Sequence, residues 1–496
     1  DIFDAHLLKK EFTFTSEGQS IPDIEKEGSF LILSYLNSVL AQFLINLFCG
    51  QHKHAGYINL LPLPNHKFNS SDVVKIIDIK RKWYSIDETT LEFHHFLTDF
   101  AKSESIKKEL SIMQSHLIAD KESYDNFIEN NDNFWLDVAN IPYDARPSFE
   151  EFKKKRPKEN LITIDGVTDE TIENNPSMAH EIISNLLGVA FGRWDIRSIM
   201  DSSLIPDFGD FFDPLPFMPV VSLSGKPNNY PLDFPEDGLF IQDNRHPRCI
   251  CKAIENVVFK IWGKGGNDIL FELSDIGNYP DLQEFFTKPA GFFDFHYNRY
   301  TKSHREAPIY WPLSTQSGSY IVWVYYPRLN DQTLYKIVND FVKPKREDVQ
   351  NEIRQLQNNP NLDNKGKKEL LDKQEFLHEL QVFEKELVRV ANLPYKPNHD
   401  DGVLITAAPL HNLFRHNKWH KSTEECWKSL EKGEFDWAHM AYSIWPDRVR
   451  KKCKNDLSMA IAHGLEEICE IKPKEVKEKK NKQPKQVIKD TKLNLE

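Results

Sequence analysis

Six cysteines in 496 residues (Cys49, Cys249, Cys251, Cys426, Cys453, Cys469) are too few and too scattered for a disulfide framework, and a reducing cytosol fits that usage best. Long apolar runs are also missing. The most apolar window, Phe30 to Phe48, contains Asn37, Gln42 and Asn46, whose amides are costly in lipid. A packed helix is expected there, and no membrane partner. Catalytic signatures are thin as well: there is no Gly-x-x-x-x-Gly-Lys-Ser/Thr, no Gly-x-Ser-x-Gly and no His-Glu-x-x-His. No signal peptide opens the chain. A start at Asp1 inside what reads as a domain is expected of a fragment or a piece cut from something larger.

What is present describes an ordinary globular chain. Hydrophobic residues make up 40%, aromatics 12%, and there are 28 prolines. The length predicts two to four units. The formal charge is −12, which argues against a protein coated in nucleic acid but leaves room for a local basic cleft. The tail from Lys472 to Glu496 has nine lysines against four acids and almost no apolar content, so it is expected to be disordered. Its +5 leaves −17 for the rest.

Along the chain, residues 1–28 alternate in short pieces with Gly18 and Pro22 as punctuation, which predicts strands and turns. Phe30–Phe48 has helical spacing with Gly50 as its cap, and Gly56–Pro64 reads as an extended segment. From Ser71 to about Asn130 the pattern is helical, with charges on the other faces. Met178–Arg197 is an apolar helix, Asp207–Ser224 is irregular, Asp243–Trp262 is a second helix, and Lys264-Gly-Gly266 is a turn. Lys345–Ala391 keeps a helical period broken once at Asn358–Gly366, which predicts two antiparallel helices. A compact module rich in Trp and His follows Asp400-Asp-Gly402.

One stretch stands out. Phe285–Leu329 places His296, Arg299, Lys302, His304 and Arg305 among Phe292, Phe293, Phe295, Tyr297, Tyr300, Tyr310 and Trp311, then runs into an expected strand, Tyr320–Tyr326. Interleaved cations and rings either grip phosphate while stacking on bases or form a polar rim on an aromatic core.

Smaller patterns add candidates. Cys249-x-Cys251 with His246 has the look of zinc ligands without a matching second pair. Asn140-Ile-Pro-Tyr143, and at a second place Asn392-Leu-Pro-Tyr395, are partial matches to the loop that holds a flipped adenine. Asp144 with Glu151 and Lys153 is a thin nuclease-like set, on a segment that looks like a charged helix. His52, His54, His94 and His95 lack acidic partners at ligand spacing. These patterns assemble no active site and no metal site.

Five blocks, in order, carry a resemblance. They are Leu33-Ser-Tyr-Leu-Asn-Ser38 with Gly56-Tyr-Ile-Asn-Leu-Leu-Pro-Leu-Pro64; Asp78-Ile-Lys-Arg-Lys-Trp83; and Gly188-Val-Ala-Phe-Gly-Arg-Trp-Asp195. Ala307-Pro-Ile-Tyr-Trp311 with its following strand is the fourth. The fifth is Asp400-Asp-Gly-Val-Leu-Ile405, backed by Asp436-Trp-Ala-His439 and Trp445-Pro-Asp-Arg448. Together they resemble the C-terminal part of the adenine-specific DNA methyltransferases of phage-defence systems, the PglX type of BREX, and related fused restriction-modification enzymes. Ala307 departs from the Arg or Lys often found before Pro-Ile-Tyr-Trp in that family. The family's methyl-donor and Asn-Pro-Pro-Tyr loops would lie upstream of everything seen here.

The resemblance implies an α+β, multi-domain chain: the end of a target-recognition-like module (1–68), a helical spacer (69–178), a mixed α/β central domain (179–345), a helical hairpin (346–399), a C-terminal module (400–470) and a basic tail (471–496). It implies a DNA-recognition and scaffold role, with double-stranded DNA as partner and a methyltransferase half or other defence proteins beside it. S-adenosylmethionine would serve the full-length parent, with no cofactor bound by this chain. The phosphate-contact candidates are Arg299, Lys302 and Arg305, then Arg193, with Tyr310 and Trp311 as structural rings. A non-catalytic protein-interaction subunit is the second reading, and an independent enzyme using Asn140 or His439 the third.

Overall fold

The computed structural model describes residues 5–8, 20–21, 26–49, 55–62, 68–93, 96–156, 175–205, 209–210, 229–302, 305–360 and 362–470. The expected strands before residue 20, the bulk of Asp207–Ser224, Gly50, Pro64, His52, His54, His94, His95, His304 and the basic tail lie outside them.

The chain is mixed α/β and mostly helical. Its small sheet forms where β-branched and aromatic residues run together: Ile321-Val-Trp-Val-Tyr325 is strand β5, and all five residues are buried. It lies between β1 (Leu239–Ile241) and β4 (Tyr310–Ser314), antiparallel to both. Trp311 faces Val324 across the ladder, and Pro312 is tolerated because β4 is an edge strand. Two-residue strands β2 (Thr301–Lys302) and β3 (Arg305–Glu306) make a separate hairpin.

The Pro176–Ala190 helix packs on this unit with an almost wholly buried surface. Its last turn is fitted closely. A Cβ on Gly188 would come within 2.7 Å of the Trp194 ring, and Gly192 turns the chain at φ +70° against Phe234.

Two hydrophobic cores divide the described residues. The larger runs without a break from Ile79 through the central sheet and the helical hairpin to Leu465. The smaller joins Tyr35, Val39 and Leu40 to Trp135, Leu136 and Phe149. One 33-residue helix, Ile106–Val138, spans both, with Ile106 and Leu110 in the larger core and Trp135 in the smaller. At 1.5 Å per residue it is a strut roughly 50 Å long.

Several expectations change. The helix expected over Phe30–Phe48 is two, Lys26–Leu36 and Val39–Phe48, bent by 68°. Ser38 is the reason: its hydroxyl accepts from Ala41 N and donates to Tyr35 O, so a new helix begins there. Gly56–Pro64 does not run extended through its described part. Ala55–Ile58 is a helical turn, continued by Leu60 N donating to Tyr57 O.

The helix placed at Asp243–Trp262 starts only at Ile250, because Pro247 disfavours helix just before it. The turn expected at Lys264–Gly266 is a short 3-10 segment, Gly263–Gly265, that launches an unexpected helix, Gly266–Gly277, held by Ile269, Leu273 and Ile276. Lys343–Gln357 and Asn364–Ala391 do form the expected antiparallel hairpin.

Among the described residues, no single helix is long and apolar enough to cross a membrane.

Candidate nucleic-acid interface and the arginine cluster behind it

The Phe292–Arg299 helix ends in the β2–β3 hairpin, so Arg299 and Arg305 lie six residues apart on adjoining elements. Arg299 points inward. Its Nη2 is 2.5 Å from Asp87 Oδ1 and its Nε 3.0 Å from Glu181 Oε2, and all three side chains are buried. Arg193 also turns inward. Its Nη1 donates to the Tyr300 hydroxyl at 2.7 Å, its Nη2 donates to Glu88 O at 3.1 Å, and its guanidinium lies 4.3 Å above the Trp194 ring. Ser184 and Tyr300 both donate to Glu88 Oε1, at 2.6 and 3.2 Å.

Two guanidiniums therefore meet three buried carboxyls in one network. Burial works against the Asp87 charge, yet the Arg299 guanidinium holds its carboxyl below the usual range. Burial pushes Glu181 up to about 7 even with Arg299 beside it, and the Glu88 and Asp87 charges add to the rise.

This geometry corrects the sequence reading. Arg299 and Arg193 are the phosphate candidates of the sequence, but Arg299 is buried, Arg193 is largely covered, and both are already paired. Drawing either out would strand carboxylates in the core. Lys302 and Arg305 are exposed, and Lys302 donates to Thr89 at 2.9 Å. His296 is not a cation either. Its Nε2 accepts from Ile309 N and Tyr310 N at 2.9 and 3.2 Å, while burial, helped by the Arg193 charge, holds it well below the ordinary histidine value. Tyr310 and Trp311 are wholly buried in β4, and Tyr310 stacks on Phe191 at 5.3 Å.

Asp87, Glu88 and Glu181 went unnoticed in the sequence. The available signal was an acid inside an apolar helix, Met178-Ala-His-Glu-Ile-Ile183, which calls for a buried partner.

The other candidates resolve into local structure. Asn140-Ile-Pro-Tyr143 terminates the long helix: Asn140 adopts φ +55° and Ile141 N donates to Leu136 O, a Schellman ending that Asn suits. Tyr143 is 81% exposed with Arg146 stacked on its ring. Asn392-Leu-Pro-Tyr395 likewise follows a helix end, and the buried Tyr395 hydroxyl donates to Thr406 O. Glu151 and Lys153 sit on a short helix, each paired locally, not on adjoining strands.

Asp401 accepts from His439 N, Met440 N and His439 Nδ1, capping the His439–Ile444 helix and fixing the tautomer of a half-exposed imidazole. Cys249, Cys251 and His246 do not converge on a metal geometry. Among the described residues, no group of three or more His, Cys, Asp or Glu is placed to hold an ion.

No protein-family model matches this chain, and no curated protein matches it by sequence.

Proposed function

We propose that this chain is the DNA-recognition and scaffold part of a site-specific adenine-N6 DNA methyltransferase of a phage-defence or restriction-modification system. Under this reading it works in the cytoplasm on double-stranded DNA, and the S-adenosylmethionine site belongs to a methyltransferase half outside the residues seen here. The ordered set of five sequence blocks carries the proposal. The β2–β3 hairpin supports it, because it presents Lys302 and Arg305 to solvent from a rigid core. Phosphate contacts of this kind position a protein on a duplex without reading its sequence.

The test is a salt titration of duplex binding. Lys302→Ala with Arg305→Ala should weaken binding to all sequences and lower the salt slope by about two, roughly one per contact. Unchanged affinity and slope would sink the assignment.

A protein-interaction subunit is the second reading, favoured by Leu371 and Val382, which the helical hairpin leaves 65% and 52% exposed. Loss of partner capture on deleting 346–392, with no DNA binding by the intact chain, would select it.

A further inference from the structure

One face of the central sheet carries a small pocket. Pro312 faces Trp323 across the ladder and Ser314 faces Ile321, so strand alternation puts these four side chains on the same side. Beside them a pocket of about 20 Å³ opens against the end of the Leu282–Thr287 helix and the start of the Asn417–Lys432 helix. That space holds one atom the size of a water oxygen or a halide.

Its polar lining is one-sided. Trp323 and Ser314 are buried, and neither the indole Nε1–H nor the Ser314 hydroxyl has a hydrogen-bond partner within the protein. Two buried donors without an acceptor are costly unless something meets them there. Lys288, Arg415 and His416 line the same pocket, and no Asp or Glu does. Lys288 pairs with Glu284, and His416 Nε2 meets Asp294 at 2.8 Å.

Arg415 is different. Its guanidinium lies on Gly318 in the β4–β5 turn, where φ is +79° and a Cβ would collide with it. Nη1 donates to Thr287 O at 3.4 Å, and among the described residues no carboxylate reaches ion-pair distance. Glu379 acts on it only from further off, since that carboxylate accepts from Ser317 and Ser319 instead. A guanidinium has five N–H donors to satisfy. A half-buried cation with no counter-ion, beside two unanswered donors, is the chemistry of an anion site.

We propose that this pocket binds one halide-sized inorganic anion, held by the Trp323 indole N–H, the Ser314 hydroxyl and the Arg415 guanidinium. The anion joins the β4–β5 turn and the 286–289 segment to the start of the Asn417–Lys432 helix. It therefore ties the central unit to the C-terminal module.

The test is urea unfolding of the full chain while sodium chloride replaces sodium gluconate at constant ionic strength. The folded-to-unfolded ratio should rise about tenfold for each tenfold increase in chloride above the dissociation constant. Arg415→Gln should lose that rise, and Ser314→Ala should need about three- to tenfold more chloride for the same gain. Each variant is read against its own gluconate baseline, so a general loss of stability does not mimic loss of the site. In crystals of the unaltered chain grown with bromide, an anomalous peak should lie within hydrogen-bond reach of Trp323 Nε1 and Ser314 Oγ. That crystal and Ser314→Ala carry the test if Arg415→Gln fails to fold. No chloride response in the parent chain, an equal response in Arg415→Gln, or water alone at the bromide position would overturn the proposal.

Discussion

Arg299 and Arg305 belong to one basic, aromatic stretch, yet they meet opposite fates. Arg299 ends a helix whose Phe292 and Phe293 are in the core, so it is carried inward onto Asp87 and Glu181. Arg305 begins a strand of a two-residue ladder and stays in solvent. Composition makes the two look alike. What separates them is whether acids distant in the chain arrive to neutralise the charge.

The sharpest way to break the comparison is Arg299→Ala. It leaves Asp87 and Glu181 buried without their cation, and should lower unfolding free energy by about 3–5 kcal/mol in urea titrations. A loss under about 1 kcal/mol would mean that the cluster is not closed in solution.

The second effect is on pH. Glu181 is raised to about 7 in the fold against an ordinary value of 4.5, so the folded chain binds its proton more tightly than the unfolded one. Its contribution is therefore full below about pH 4.5 and is lost as pH rises through 7. Glu181→Gln should flatten the stability profile across that window by something on the order of 1–3 kcal/mol relative to the parent chain. Parallel profiles for the two chains would refute it.

Gly188→Ala tests the floor beneath the cluster. The added methyl meets the Trp194 ring at 2.7 Å and the Tyr310 hydroxyl at 3.3 Å, and should cost about 1–3 kcal/mol by thermal or urea unfolding. The smallest effect belongs to the exposed pair. Lys302→Ala and Arg305→Ala should each change stability by less than about 0.5 kcal/mol, leaving any loss of DNA affinity attributable to the contact itself.

Where pattern is local, the sequence was readable. The β-branched run at Ile321–Tyr325 became the central strand, and the periodic pair around Asn358–Gly366 became the hairpin. Tyr310 and Trp311, the expected structural rings, are in the sheet, where Trp323 of the central strand joins them. The break at Ser38 was less visible, because an N-cap inside an apolar run competes with a periodicity that continues past it. The Gly266–Gly277 helix was hidden by the glycines that precede it. The direction of Arg299 could not be read from spacing at all, since Glu181 is 118 residues away and only the fold brings it near.

That distance has a consequence for how the chain acquires its shape. The Tyr300–Glu88 bond closes a separation of 212 residues, so the network cannot form until both ends have been synthesised and the intervening helices are in place. Until then Asp87 and Glu88 stay hydrated, and the spacer is held to the central unit by the apolar contacts of the larger core. Mutations here should therefore speed unfolding far more than they slow folding, making these arginines a latch set at the end of assembly and not a nucleus.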